Sequence, residues 1–263
     1  MKKVILLITL FSLLGIWGSY NVTVVSYNVG VFNKYVPDSS GEVAEMMQEV
    51  KADVIGLCEL DSCSIVRNDR RDQLKEFVGK MGTGWLGHFG RAMSFGGGGY
   101  GVGAVTSPRF KVVDHYTIAL PKGNGSEPRA AAVVETDRFV FACAHLDYAD
   151  EPSRLRQTEI LTARLLEARN MTGKPVILCG DFNAAPDSRT LDFLRQWWDV
   201  VSPYDLSFPS VSPRACIDYI MVLKGSCEYR VVGRAGVRSK FKFGDPKTAS
   251  DHLPVVVKLR LHQ

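Results

Sequence analysis

Short apolar runs alternate with amphipathic stretches along this chain, and the period of the apolar positions assigns most of the elements. Val22 to Tyr27, Asp53 to Leu57, Tyr100 to Thr106, Lys111 to Leu120 and Pro175 to Cys179 are short and mostly apolar, the pattern of buried strands. Ala130 to Ala144 holds more strand, with Asp137-Arg138 as a hairpin turn, and Ala215 to Leu223, Glu228 to Val232 and Val255 to Leu259 complete the set. Helical spacing appears in Asp38 to Val50, where Val43, Met46, Met47 and Val50 recur behind the capping residues Asp38, Ser39 and Ser40. It returns in Asn68 to Met81 through Leu74, Phe77, Val78 and Met81, in Ser153 to Arg169 through Leu155, Ile160, Leu161, Leu165 and Leu166, and in a shorter stretch near Ser188 to Trp197. Hairpins mixed with helices predict an antiparallel-rich α/β sandwich over a doubly wound parallel sheet.

Composition fits one globular domain. The 263 residues are 46% hydrophobic and 23% charged, with no linker-like break and no repeat. The first residues differ from the rest. Met1-Lys2-Lys3, apolar Val4 to Trp17 and small Gly18-Ser19 match a signal peptide over residues 1–19, ahead of a mature domain over 20–263. The apolar stretch is shorter than the ~20 residues that span a bilayer comfortably. A secreted or periplasmic location is therefore expected. Loss of Lys2 and Lys3 with the leader lowers the formal charge from +4 to about +2, and the remaining Lys and Arg are dispersed, which disfavours a protein that coats a long duplex. Six cysteines in an exported chain permit disulfides, but no Cys-x-x-Cys suggests a zinc ribbon or thioredoxin-type site.

Polar side chains gather where the apolar runs end. The first predicted strand ends in Tyr27-Asn28 and the second in Cys58-Glu59. The run through Phe141-Ala142-Cys143 leads to His145-Leu146-Asp147, and Pro175 to Cys179 leads to Gly180-Asp181-Phe182-Asn183. Asp218 and Ser250-Asp251-His252 flank the later strands. Carboxylate, amide and imidazole groups at several strand ends are expected if those ends converge on one cleft, where α/β proteins place reacting groups.

In this order, Ser26-Tyr27-Asn28, Glu59, His145-Leu146-Asp147, Gly180-Asp181-Phe182-Asn183, Ile217-Asp218-Tyr219 and Ser250-Asp251-His252-Leu253-Pro254 resemble the motif set of the endonuclease/exonuclease/phosphatase superfamily. That group includes deoxyribonuclease-I-like nucleases, abasic-site endonucleases, neutral sphingomyelinases and inositol-polyphosphate 5-phosphatases. The resemblance runs from about Val22 to Leu259. It implies a four-layered α/β/β/α sandwich of two mixed, largely antiparallel sheets flanked by helices, and a divalent cation, Mg²⁺ or else Mn²⁺. An oxygen-rich donor set suits those hard ions.

The resemblance also implies roles. Glu59 looks like the principal metal ligand, with Asn28 orienting the ligand sphere and Asp251 contributing to the metal site or orienting it. Asp181 is the candidate to orient or deprotonate the attacking water, and Asn183 to bond a phosphoryl oxygen as charge builds. Asp218 and His252 resemble the family's carboxylate–imidazole pair, and His145 its second histidine, in contact with phosphate or the leaving oxygen. Asp147 either supports His145 or caps its loop. Arg129 fits a family position for phosphate contact or structural pairing. Arg154 and Gln157 fit the spacing after the His145 motif, although a plain surface helix explains Arg154 as well, and Tyr100 is a candidate to reach substrate. The Gly96 to Gly99 run lacks the ending of a nucleotide-binding loop and reads as flexibility beside the cleft. Ser202 to Arg214 and Pro121 to Pro128 are expected to rim it.

The expected activity is metal-dependent hydrolysis of a phosphodiester or phosphomonoester, on a small molecule or lipid headgroup ahead of nucleic acid. The alternatives are a nuclease and a non-catalytic module that holds a phosphorylated ligand. No stable protein partner is implied, and a monomer is expected.

Overall fold

A computed structural model of the chain describes residues 18–262. The charged and apolar part of the expected leader, Met1 to Trp17, lies outside the described residues. β1 (Ser19–Asn28) is buried on both faces from Val22 onward, because Val22 and Val24 point to one core while Val25 and Tyr27 point to another. A 3-10 turn at Gly30–Phe32 leads into α1 (Ser40–Glu49), and β2 (Val54–Ser62) returns parallel to β1. A helical turn α2 (Ile65–Asn68), α3 (Gln73–Met81), β3 (Leu86–Phe95) and β4 (Gly98–Thr106) follow. The expected helix over Asn68 to Met81 begins only at Gln73. Asp69 and Arg70 adopt left-handed backbone, and Asp72 caps the new start by accepting from the Lys75 amide at 3.0 Å.

β3 escaped the periodicity reading, since its residues are mostly half-buried or exposed and no apolar alternation marks it. Its hairpin with β4 turns at Gly96-Gly97, both at positive φ (54° and 77°), between the paired residues Phe95 and Gly98. The glycine run is therefore a tight two-residue hairpin, not the flexible cleft loop expected.

The second half repeats the scheme. β5 (Val112–Leu120), β6 (Arg129–Thr136) and β7 (Val140–His145) are antiparallel neighbours, with the Asp137-Arg138 turn between the last two. α4 (Glu151–Thr172) then crosses over to β8 (Val176–Asp181), parallel to β7. α5 (Arg189–Trp197), β9 (Trp198–Val200), β10 (Asp218–Leu223), β11 (Glu228–Val231), β12 (Gly236–Val237), α6 (Pro246–Ala249) and β13 (Val255–His262) complete the chain.

Among the described residues these strands form two sheets. One has seven strands in the order β11-β13-β1-β2-β4-β3, with β12 also on β13, and the other six in the order β5-β6-β7-β8-β10-β9. Their facing surfaces share one core that includes Val24, Val54, Val102, Phe141, Ile177 and Ile220. Outside it, α1 and α3 cover the first sheet through Val43, Met47, Leu74 and Phe77, and α4 and α5 cover the second through Leu161, Leu165, Leu191 and Leu194. The result is the four-layered α/β/β/α sandwich, with a single parallel pair inside each sheet. No helix among the described residues is long and apolar enough to cross a membrane. All six cysteines are free thiols.

Candidate active site

Strand parity brings the site together. Val24, Ser26 and Asn28 lie on one face of β1, Phe141, Cys143 and His145 on one face of β7, and Ile177, Cys179 and Asp181 on one face of β8. On β10 the matching row is Asp218, Ile220 and Val222. The apolar members of these rows form the core between the sheets, so the polar members continue it to the end of the cleft. Asn28, His145 and Asp181 stand at the carboxyl ends of the two parallel pairs, and Asp218 lies across from Asp181 in the β8–β10 register.

Glu59 reaches the same place by a different device. The β2–β4 register slips between Leu57 and Leu60, and Glu59 takes a left-handed backbone at φ 59°. Such a bulge re-aims a side chain that strand parity alone would send elsewhere. Asn183 is likewise left-handed, at φ 47°, on the turn after β8. Gly180 (φ 145°) is required there, because a Cβ would sit 1.8 Å from the Ala144 carbonyl oxygen.

Asp181 is the centre of the cluster. It is 2% exposed, and its Oδ2 accepts from Asn28 Nδ2 at 3.0 Å while facing Nε2 of both His145 and His252 at 3.6 Å. Its Oδ1 accepts from the Asn183 amide at 2.9 Å. Burial, and next the charge of Asp218, push its carboxyl up to about 7 against the opposing pull of His252 and Asn28.

The two histidines are held in opposite states. Burial by itself lowers His252, but the charge and hydrogen bond of Asp218, with Asp181 and Asp251 behind, more than reverse this and raise it to about 10. Its Nδ1 donates to Asp218 Oδ2 at 2.9 Å, the raised value keeps the ring an imidazolium at neutral pH, and Nε2 stands 3.6 Å from Asp181 Oδ2. Burial, then Arg129 and His252, hold His145 well below its ordinary value, and it is neutral. The Arg129 guanidinium, which can only donate, lies 3.3 Å from His145 Nδ1. Arg129 is also paired with Glu127 at 2.8 Å.

Asn28 donates from Nδ2 to Glu59 Oε1 (3.1 Å) and to Asp181, while its Oδ1 accepts from the Gly30 amide at 3.1 Å. That network fixes the amide's orientation and turns its oxygen away from the carboxylates. Asn28 thus joins and aligns the two carboxylates as a donor. Asn183 Nδ2 bonds the Leu146 carbonyl at 3.1 Å and lies 3.1 Å from His145 Nε2.

Other expected residues stand further out. Asp251 carries Lys34 on its Oδ2 at 2.7 Å, so a cation already neutralises the carboxylate offered to a metal. Tyr100 is buried, with the Arg67 guanidinium 5.3 Å from its ring centroid, and burial followed by the charge of Glu59 raises its phenol far above the ordinary range. Asp147 is fully buried and its oxygens accept from the Ser126 amide and hydroxyl and from the Ala149 and Asp150 amides. Arg154 donates to the Asp147 carbonyl at 2.8 Å, and Gln157 joins the Asp147 amide to the Pro121 carbonyl. Asp147 thus braces the Pro121–Pro128 loop through Ser126, and Arg154 holds the Asp147 backbone from α4.

Several contributors had no role in the sequence reading. Ser207 is buried and donates to Asp218 Oδ2 at 2.6 Å, and the Phe208 ring lies 4.7 Å from the His252 ring. Ser250 donates to the Asn28 carbonyl at 2.6 Å, tying the His252 loop to β1. Ser250 belongs to a quoted motif and was within reach of sequence reading; Ser207 and Lys34 carry no local signal.

The donor set fits a hard cation. Asp181, Asp218 and His252 each offer an atom within 4.8 Å of the others, and Asp218 Oδ1 is buried with no hydrogen-bond partner among the described residues. His252, held protonated beside Asp218, has no lone pair to give, which leaves carboxylate oxygens, Glu59 among them, as the ligands on offer.

Comparison with known proteins agrees with this arrangement. Residues 25–252 match the Endonuclease/Exonuclease/phosphatase family, a span from β1 to His252. No curated protein matches the chain. Among solved structures, an endonuclease/exonuclease/phosphatase family protein from Bacteroides thetaiotaomicron superposes with a TM-score of 0.74 at 20% identity, covering 93% of this chain and 96% of that one. A mannosyl-6-phosphatase from the same organism gives 0.72 at 22% identity, over 90% and 99%. The human Nocturnin catalytic domain with bound sulfate gives 0.67 at 17% identity, over 93% and 97%. The match spans every strand end that carries the cluster, and the chain therefore belongs to the endonuclease/exonuclease/phosphatase family of metal-dependent, phosphoester-hydrolysing enzymes.

Proposed function

We propose that the protein is an exported, Mg²⁺-dependent phosphoesterase that hydrolyses a small phosphomonoester or phosphodiester, free or on a lipid headgroup, by in-line attack of water. The observation that carries this reading is the buried Asp181 carboxylate set between two histidines at equal distance, one neutral and one cationic. A divalent cation at Glu59, when bound, neutralises phosphoryl oxygens and so favours attack on phosphorus. Asp181, ionised, orients the water and takes its proton. His252, an imidazolium backed by Asp218, supplies positive charge to the phosphoryl oxygens, and neutral His145 stands beside Asp181 and Asn183. Asn183 lies beside His145, positioned for the same oxygens.

Mg²⁺ is favoured, with Mn²⁺ as its substitute, because the donors are carboxylates and Mg²⁺ keeps several waters and substrate oxygens in its shell. The near-neutral charge of the mature domain supports a small substrate over a long nucleic acid. Similarity to a mannosyl-6-phosphatase points the same way.

The test is hydrolysis of p-nitrophenyl phosphate and bis(p-nitrophenyl) phosphate with Mg²⁺, Mn²⁺ or EDTA, beside Asp181→Ala. Turnover should need the metal and fall on the order of 10²- to 10⁴-fold in the variant. Near-normal activity of a folded Asp181→Ala protein would refute the assignment, and nicking of plasmid DNA in preference to either ester would transfer the substrate to nucleic acid.

A further inference from the structure

Away from the catalytic cluster, a groove of about 670 Å³ opens on the outer face of the first sheet. Its floor is Thr23, Val256 and Lys258, and its walls are the C-terminal end of α1 and the segment from Val232 to Lys240. Thr23 pairs with Lys258 and Val25 with Val256 in the β1–β13 ladder, on the face opposite to the one that carries Asn28. Thr23 precedes Asn28 by five residues on β1, or about 16 Å at strand rise. The groove is therefore separate from the active site.

Its charge is one-sided. Lys51, Arg234, Arg238, Lys240 and Lys258 line it against a single carboxylate, Glu49. Glu49 is itself engaged, accepting from Arg238 at 2.8 Å and from the Lys242 amide at 2.6 Å. Among the described residues Lys51, Arg234, Lys240 and Lys258 form no ion pair. Asp53 is paired with Arg109 and accepts from the Thr23 amide, and Asp205 accepts from the Val237 amide. Like charges drawn from three separate segments repel one another, so such a gathering is relieved by an anion.

We propose that this groove binds a compact multivalent oxyanion, a small molecule or a headgroup with two or more phosphate, sulfate or carboxylate groups. The volume lies in the range of small-ligand pockets, whereas a nucleic-acid strand needs a basic stripe that continues beyond one pocket. Arg238, anchored by Glu49, gives the site a fixed guanidinium for bidentate contact, and the lysines supply adaptable point charges around it.

The probes are tripolyphosphate and inositol hexakisphosphate, titrated calorimetrically into the full-length protein, and phosphatidylcholine vesicles with or without phosphatidylinositol 4,5-bisphosphate in co-sedimentation. The comparison is the triple variant Lys51→Gln/Arg234→Gln/Lys258→Gln, whose three side chains are exposed. Saturable binding should weaken about tenfold or more in that variant and in high salt, persist in Asp181→Ala, and leave hydrolysis of p-nitrophenyl phosphate unchanged. Binding of the soluble probes alone would assign a free anion as the source, and binding of the phosphoinositide vesicles a lipid headgroup. Equal affinity in the triple variant, loss of binding in Asp181→Ala, or no saturable binding of any probe would overturn the proposal. These outcomes are independent of whether the active site turns over a phosphoester.

Discussion

Asp218, across from Asp181 in the β8–β10 register, acts through its charge on both ends of the proposed proton chemistry. It raises His252, which must stay protonated, and it raises Asp181, which must lose its proton. In the free enzyme kcat/KM should climb as Asp181 ionises and decline as His252 deprotonates near 10, with a cation near Glu59 drawing the first limb to lower pH. Asp218→Asn removes a negative charge that raises both values, so both limbs should move to lower pH, with turnover down on the order of 10²-fold. A pH profile of that variant with an unmoved upper limb would disprove the pairing. At this scale the chemical residues were legible in the sequence, because Asn28, Glu59, Asp181 and His252 end or follow apolar runs. What each atom does was not, since the direction in which the Asn28 amide faces and the opposite charge states of His145 and His252 depend on neighbours distant in the chain.

Among the elements, the turn from β7 into α4 shows how a loop is made rigid enough to hold a histidine. Asp147 gathers amide and hydroxyl donors from Ser126, Ala149 and Asp150, and these bonds more than offset the upward push of burial, holding its carboxyl down to about 2. A carboxyl with a depressed folded value contributes stability above its unfolded value near 4 and loses that contribution as pH falls through about 2. Asp147→Ala, which strands those donors, should destabilise the protein by about 3 kcal/mol in urea unfolding at pH 7, and the gap from the parent should narrow toward pH 2. An unchanged midpoint at pH 7 would remove the bracing role. Helices and most strands followed from periodicity alone. β3 did not, since its half-exposed residues leave no alternation to read, and neither did the late start of α3, which the left-handed pair Asp69-Arg70 imposes.

For the molecule as a whole, the two sheets face each other across one core, and each contributes a parallel pair whose carboxyl ends meet at the cluster. Export is the prediction that belongs here. N-terminal sequencing of the protein from its native host should find it outside the cytoplasm and beginning near Tyr20, and a cytoplasmic chain that retains Met1 would refute it. The sequence by itself determined the class of fold, the order of the motifs and the row on which Asn28, His145, Asp181 and Asp218 lie, because strand parity is a local property and ties each polar residue to an apolar row before it. Tertiary structure decided the rest. Only the slipped β2–β4 register swings Glu59 into the cleft, only packing of the Ser202 to Arg214 segment brings Ser207 and Phe208 to Asp218 and His252, and only the approach of distant segments collects the basic groove. Each of these depends on where separate stretches of backbone meet, a relation that local periodicity does not encode.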